Sequence, residues 1–229
     1  MNAPNIGEFV LFMVALIFSL SLHEMMHAWM SDRFGDDLAR HQGRISLNPV
    51  THVDPIGTLL FPAIGFFSGF GVLGWARPTP VNPLAWRNKR VANFWVSIAG
   101  VLGNLSIALV VGVTIRVLYE TRVITLGETS WLAAVNPQST LTDGLAALLS
   151  VFFMMNVGLA VFNLLPIPPL DGSKILASIL PESFEPALNS LDRVGFMLLF
   201  VAAFTGVFGA IFRVIIPAAW RIVFLGALG

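Results

Sequence analysis

Long apolar runs constrain this chain more than any other feature of its sequence. Four of them are each long enough to cross the hydrocarbon core of a bilayer, which takes about 20 helical residues. The sequence is 56% hydrophobic and 11% charged, whereas soluble domains carry about 25% charged residues. We therefore expect an all-α polytopic membrane protein that forms a single domain over residues 1–229. The predicted spans lie at about 7–30, 91–118, 141–165 and 193–217.

A fifth apolar run, at about 56–75, carries Pro62 and five glycines, which a lipid-exposed helix has little use for. We expect it to be a re-entrant segment that enters and leaves the membrane on one face; if it spans instead, the bundle has five crossings. Charge favours the hairpin, because seven of the 13 basic residues lie between positions 33 and 90 and would then share a face. The positive-inside rule makes that face cytoplasmic.

The first apolar run contains an H-E-x-x-H motif formed by His23, Glu24 and His27. On a helix the two histidines are one turn apart and can reach one metal ion, and Glu24 can take a proton from a metal-activated water. An ionisable residue at the bilayer centre costs roughly 2.5–3.5 kcal/mol, so the motif indicates a functional site. Because the chain has no cysteine, a tightly held metal must use histidine and carboxylate ligands.

A catalytic zinc site needs a third protein ligand, and several carboxylates could supply it. We favour Asp171, which follows a proline-broken helix end and precedes a glycine that lets the backbone turn inward. Asp54 lies on the correct face but also fits a simple turn, and Asp143 falls at the far end of its span. With five full crossings, Asp171 and His27 would lie on opposite faces of a core about 30 Å thick, so this choice depends on the hairpin.

Other polar residues in or near the spans have less certain roles. Asn104 lies mid-span, four residues after Gly100. It could form an interhelical hydrogen bond or donate to the scissile carbonyl or its oxyanion, and we weigh these roles evenly. We expect Asn163 to be structural, and we expect neither His41 nor His52, which lie in polar loops, to bind metal.

Five motifs follow one another along the chain: HEMMH at 23–27, HVDPIGT at 52–58, GWARPTPVN at 74–82, GVLGN at 100–104 and NLLPIPPLDG at 163–172. Together they resemble those of the site-2 protease family of intramembrane zinc metalloproteases, in its short form without PDZ-like or CBS-like domains. The resemblance covers about residues 20–172 in the family's order, and we place the catalytic core over about 7–172. It departs from the family at Val101, where proline is usual.

The resemblance implies that His23, His27 and Asp171 bind one zinc ion per chain, that Glu24 is the general base and that Asn104 lies near the substrate. The implied activity is endoproteolysis within transmembrane segments of membrane-anchored proteins in the lipid bilayer. Because the short form is typically prokaryotic, it also implies a plasma (inner) membrane location. The basic residues between positions 33 and 90 place the active site towards the cytoplasmic side.

The alternative is a metal transporter or an inactive scaffold that uses the same histidines. Glu24 discriminates between the two hypotheses, because hydrolysis needs this base and a transport site could replace it more freely. The polar residues cluster at one depth rather than along a path across the bilayer, which favours the enzyme. The formal net charge of zero gives no electrostatic case for nucleic acid. The sequence leaves the substrate and the oligomeric state open.

Overall fold

The computed structural model describes residues 5–68, 74–124 and 141–225, and every regular element in these ranges is helical. The helices are α1 Ile6–Arg33, α2 Leu38–His41, α3 Phe61–Ser68, α4 Lys89–Glu120, α5 Leu141–Asn163, α6 Asp171–Ile179, α7 Glu185–Phe204 and α8 Val207–Val223. Short helical turns lie at Pro49–Thr51, Pro55–Leu60 and Glu182–Phe184. Helices α1, α4 and α5 and the Pro186–Phe204 part of α7 are long and apolar enough to cross a membrane. The predicted all-α fold with four spanning helices is confirmed.

Asparagine side chains set where two of the long helices begin. Asn5 accepts a hydrogen bond from the backbone N–H of Glu8 at 2.8 Å at the start of α1. Asn88 accepts one from the N–H of Val91 at 3.2 Å at the start of α4. Each oxygen satisfies a backbone donor that has no partner inside the helix.

Helices α1, α4 and α5 pack against one another through small residues. Ala15 of α1, Ala99 of α4 and Ala160 of α5 are completely buried. A Cβ added to Gly103 of α4 would lie 2.8 Å from Cγ of Met26 on α1. Small side chains at an interface let helix backbones approach closely. Short polar side chains can therefore form hydrogen bonds from one helix to the next.

The apolar segment predicted as a hairpin has its two ends side by side. The helical part, Pro55–Ser68, has 14 residues. At 1.5 Å per residue it is about 21 Å long, shorter than a hydrocarbon core of about 30 Å. Beyond it, the N–H of Trp75 donates to the oxygen of Gly57 at 3.1 Å, and the N–H of Arg77 donates to that of His52 at 2.8 Å. These contacts agree with a re-entrant path rather than a fifth crossing.

The C-terminal part of the bundle differs from the expectation of one span over about 193–217. A turn separates α7 from α8 within that range, and Gly206 adopts φ +77° there. Glycine reaches this left-handed conformation without the steric cost that other residues meet, which suits it to end a helix. Helix α8 then folds back, and the ring of its Trp220 lies 4.7 Å from that of Phe153 on α5. A hydropathy profile along the sequence does not show so short a turn between two apolar helices.

Candidate metal centre

Helix α1 presents His23 and His27 to α4, and both imidazoles are buried. His27 Nδ1 lies 2.7 Å from the backbone oxygen of Val96, and His23 Nδ1 lies 2.7 Å from Oδ1 of Asn104. Gly100 lies between these contacts along α4, and a Cβ added to it would stand 2.6 Å from His27 Nε2. The missing side chain lets α4 lie against both rings.

Asp171 begins α6, and its buried carboxylate faces both histidines. Its Oδ2 lies 3.2 Å from His23 Nε2 and 3.1 Å from His27 Nε2, and the two Nε2 atoms are 3.0 Å apart. A Cβ on Gly172 would collide with the backbone oxygen of Leu164, so glycine is required where the loop folds back on the end of α5. The three side chains proposed from the sequence as metal ligands therefore lie together.

The two rival carboxylates have other positions. Asp54 Oδ1 accepts hydrogen bonds from the N–H groups of Ile56 and Gly57 at 3.0 and 2.6 Å, so it caps the turn Pro55–Leu60. Asp143 lies in the first turn of α5, at the opposite end of that helix from the loop that leads to Asp171. Their positions favour Asp171 as the third ligand.

The three converging atoms suit a cation. His27 Nδ1 faces a carbonyl oxygen, which only accepts, so in the neutral ring Nδ1 carries the proton and Nε2 presents a lone pair. Asp171 Oδ2 is buried and receives no hydrogen bond from the described residues. With the ring neutral, these two acceptors, 3.1 Å apart, repel each other unless a proton or a metal ion lies between them. Ligand atoms bound tetrahedrally at about 2.0–2.2 Å stand roughly 3.3–3.6 Å apart, slightly more than the 3.0–3.2 Å seen here.

Glu24 is held by the extended stretch that leads out of the hairpin. The N–H of Thr79 donates to Glu24 Oε2 at 2.8 Å, and the Thr79 hydroxyl donates to the backbone oxygen of Glu24 at 2.9 Å. Because Pro78 and Pro80 have no N–H, the N–H of Thr79 is the one backbone donor in residues 78–80. One carboxylate oxygen of Glu24 is thereby fixed beside the histidines.

Arg44 anchors the same extended stretch to the loop after α2. Its buried guanidinium donates to the backbone oxygens of Arg77 and Pro78, both at 2.7 Å, and to that of Thr51. A planar guanidinium has five N–H donors in a fixed fork, so one side chain can satisfy several carbonyls. Arg44 therefore helps to place Thr79 beside Glu24.

Comparison with known proteins identifies the family. The model of peptidase family M50 matches residues 11–202. The chain belongs to peptidase family M50, the site-2 protease family. YwhC of Bacillus subtilis, provisionally named a zinc metalloprotease, is 37% identical over 188 residues, covering 82% of this chain and 77% of its own. Rip2 of Mycolicibacterium smegmatis, provisionally named likewise, is 30% identical over 202 residues, covering 87% of this chain and 69% of its own. No solved structure matches this M50 protein.

Asn104 is the residue of this M50 chain whose role the sequence left open. It is completely buried, its Oδ1 faces His23, and its Nδ2 donates to Oδ1 of Asn156 on α5 at 2.9 Å. This geometry favours the interhelical hydrogen bond over a contact with substrate. Asn163 donates to the backbone oxygen of Leu159 in its own helix at 3.0 Å, which agrees with a structural role.

The two remaining histidines do not belong to the group formed by His23, His27 and Asp171. His41 Nδ1 lies 2.9 Å from the backbone oxygen of Asp37 in an exposed loop. His52 is buried, and its Nε2 lies 2.8 Å from the backbone oxygen of Ser46. Burial lowers the pKa of the His52 imidazole from its ordinary value, so the ring is neutral near pH 7.

Sequence reasoning missed Thr79 and Arg44. Thr79 belongs to a stretch that entered the sequence analysis only as a family motif, without a role for this residue, and Arg44 was counted only as a positive charge on the cytoplasmic face. A usable signal existed for Thr79, because it is the one N–H between two prolines in a family motif. No comparable signal marked Arg44, since its role depends on carbonyl groups that are distant in the sequence.

Proposed function

We propose that this M50 protein is an intramembrane zinc endopeptidase that cleaves transmembrane segments of membrane-anchored proteins. The observation that carries the proposal is the convergence of His23 Nε2, His27 Nε2 and Asp171 Oδ2 within 3.2 Å of one another, with Glu24 next to His23. Three protein ligands and one open position are typical of catalytic zinc sites. When bound there, one zinc ion supplies a Lewis acid for the peptide carbonyl and lowers the pKa of water.

Glu24 is the general base in this proposal. Its carboxylate takes a proton from the attacking water and passes it to the amine that leaves. The N–H of Thr79 donates to Oε2, which restrains one oxygen of this carboxylate. The hairpin stretch thus orients the base, and α1 supplies both the base and two ligands.

The substrate in this proposal is a transmembrane helix that unwinds locally to expose a peptide bond. Re-entrant backbone at membrane depth is tolerated only against protein or a water-filled cavity. The segment at about 56–75 therefore suits the wall of a substrate path beside the metal ligands. Seven basic residues between positions 33 and 90 favour an active site towards the cytoplasmic side of a prokaryotic plasma membrane.

The deciding experiment compares Glu24→Gln with the parent chain. Purified protein is mixed with membrane-anchored substrates in vesicles, and cleavage and bound zinc are measured together. The variant should keep about one zinc per chain and lose at least about 100-fold in cleavage rate, because an amide cannot accept the proton. Glu8→Gln, the same change in a half-buried first-turn residue of α1, should behave like the parent. Full activity in Glu24→Gln would exclude this mechanism, and a parent without zinc would exclude the zinc site.

A further inference from the structure

A chain of buried polar side chains runs from α1 through α5 and α4 and back to α1. Asn156 Nδ2 donates to Ser19 Oγ at 2.8 Å, and Asn104 Nδ2 donates to Asn156 Oδ1 at 2.9 Å. Asn104 Oδ1 lies 2.7 Å from His23 Nδ1. Ser19, Asn104 and Asn156 have no exposed surface, and His23 is 4% exposed. Water cannot replace any of these contacts, so each group depends on the next.

Backbone carbonyls fix the direction of this chain. Asn156 Nδ2 also donates to the oxygen of Phe152 at 2.8 Å, and Asn104 Nδ2 also donates to the backbone oxygen of Ser19 at 3.3 Å. A carbonyl oxygen only accepts. Turning either amide over would place oxygen against oxygen in a buried site, which is costly. The orientation of Asn104 is therefore set from the α5 and α1 side, independently of His23.

The fixed amide determines which nitrogen of His23 carries the proton. Asn104 Oδ1 accepts and cannot donate, so His23 Nδ1 must be the donor in their 2.7 Å contact. A neutral imidazole has one N–H, which leaves Nε2 with its lone pair. That lone pair points to where His27 Nε2 and Asp171 Oδ2 converge. A metal ion needs this tautomer of His23.

We propose that Asn104 and Asn156 are positioning residues that hold His23 in its metal-binding tautomer and orientation, an inference that rests on the zinc site proposed above. Asn104 touches the metal ligand, and Asn156 acts through Asn104. Both hydrogens of the Asn104 amide are donated, to Asn156 and to Ser19, so the amide has no donor for a substrate oxyanion. Its task is to present an acceptor to His23.

Two substitutions of Asn104 separate this role from its rivals. Zinc affinity of the full purified chain is measured by competition with a chelator, after circular dichroism and thermal unfolding have shown that the variant is folded. Asn104→Asp keeps an oxygen for His23 Nδ1, an arrangement common at zinc sites, but gives up the hydrogen bonds to Asn156 and Ser19, so its affinity should lie between those of the parent and the leucine variant. Asn104→Leu should lose about 10- to 100-fold, the usual effect of removing such a partner.

The rival roles give different results. If Asn104 only packs helices together, the order reverses, because leucine suits a buried site and an aspartate there brings a charge. If Asn104 contacts substrate, both variants lose cleavage and keep the parent's zinc affinity. Either result overturns the inference and leaves the proposed function standing, whereas a parent chain that binds no zinc overturns the proposed function itself.

Asn156→Leu tests the asparagine that acts on His23 only through Asn104. It decides whether the inference holds if the Asn104 variants do not fold. It should lower zinc affinity about tenfold, although it touches no metal ligand. Asn163→Leu is the matched control. Asn163 and Asn156 both lie in α5, and each donates to the backbone oxygen four residues earlier, that of Leu159 and that of Phe152. The control should keep the parent's affinity. Equal affinity in the two variants would overturn the inference.

Discussion

Glu24 has its carboxylate positioned by a backbone N–H that no side-chain substitution at Thr79 removes. The Thr79 hydroxyl is different, because it joins the extended stretch to the backbone of α1 through one hydrogen bond of 2.9 Å. A hydrogen bond of this kind is worth about 1 kcal/mol. The hydroxyl can therefore be tested apart from the N–H.

We predict that Thr79→Val lowers kcat about fivefold, as the loss of about 1 kcal/mol from the positioning of Glu24 implies. Thr79→Ser keeps a hydroxyl and should remain near the parent. Cleavage rates over a range of substrate concentrations and zinc content per chain are measured for both variants. Zinc content should not change. Equal kcat in the valine and serine variants would show that the hydroxyl does not position the base.

The proposed third metal ligand, Asp171, can also be tested by changing one residue. We predict that Asp171→Ala reduces bound zinc from about one per chain to nearly none, since two histidines alone do not complete a three-ligand site. Asp54→Ala removes the rival carboxylate, which caps a turn, and should leave zinc content unchanged. Zinc is measured by mass spectrometry on purified protein. Full zinc occupancy in Asp171→Ala would mean that another carboxylate is the ligand.

Among the helices, α4 brings its backbone against the metal ligands, and its glycines decide how close it comes. A Cβ on Gly100 would stand 2.6 Å from atoms of both His23 and His27. A Cβ on Gly103 would stand 2.8 Å from Cγ of Met26, whose side chain is flexible. An added methyl group would therefore displace the two histidine rings at position 100, but only a flexible methionine side chain at position 103.

We predict that Gly100→Ala lowers zinc affinity about tenfold or more, because overpacking costs about 1–3 kcal/mol and here displaces the ligands themselves. Gly103→Ala should have a smaller effect. Gly144→Ala in α5 is the control, since its added methyl group meets no atom of the described residues within 4 Å. Chelator competition ranks the three variants. A zinc affinity in Gly100→Ala equal to that in Gly144→Ala would contradict the close approach of α4.

For the whole molecule, the path of the hairpin decides whether the site can exist. The stretch after the hairpin returns to where the segment began, as the bond between Arg77 and His52 shows. From this point the chain crosses the membrane once in α4 and once in the opposite direction in α5 before it reaches the loop that precedes Asp171. That loop consequently lies on the same side as the end of α1, within reach of His27.

We predict that positions 42 and 84 lie on the cytoplasmic face and position 141 on the opposite face. Single cysteines are introduced as Gln42→Cys, Leu84→Cys and Leu141→Cys in this naturally cysteine-free chain, at positions that are exposed. A membrane-impermeant thiol reagent is added to intact cells and to inverted vesicles. Cysteines 42 and 84 should react in inverted vesicles only, and cysteine 141 in cells only. Opposite labelling of 42 and 84 would mean that the hairpin crosses the membrane.

Local patterns were sufficient for the features that depend on neighbours in the sequence. The 3.6-residue period of a helix places His23 and His27 on one face with Glu24 beside them, so the motif could be interpreted without a fold. Apolar runs of sufficient length predict spanning helices, because backbone N–H and C=O groups in lipid must form their hydrogen bonds within the segment. The family, the helical fold and the two histidines proposed as ligands were therefore accessible from the sequence.

Tertiary structure decided the features that depend on distant segments. Asp171 meets the histidines because α1 and α6 both pack against α4, and nothing local to Asp171 distinguishes it fully from other turn carboxylates. The direction of the Asn104 amide is set by carbonyl groups on α1 and α5, and Thr79 reaches Glu24 across 55 positions. A hydrogen bond depends on distance and direction in space, and a sequence records neither for residues that are far apart along the chain.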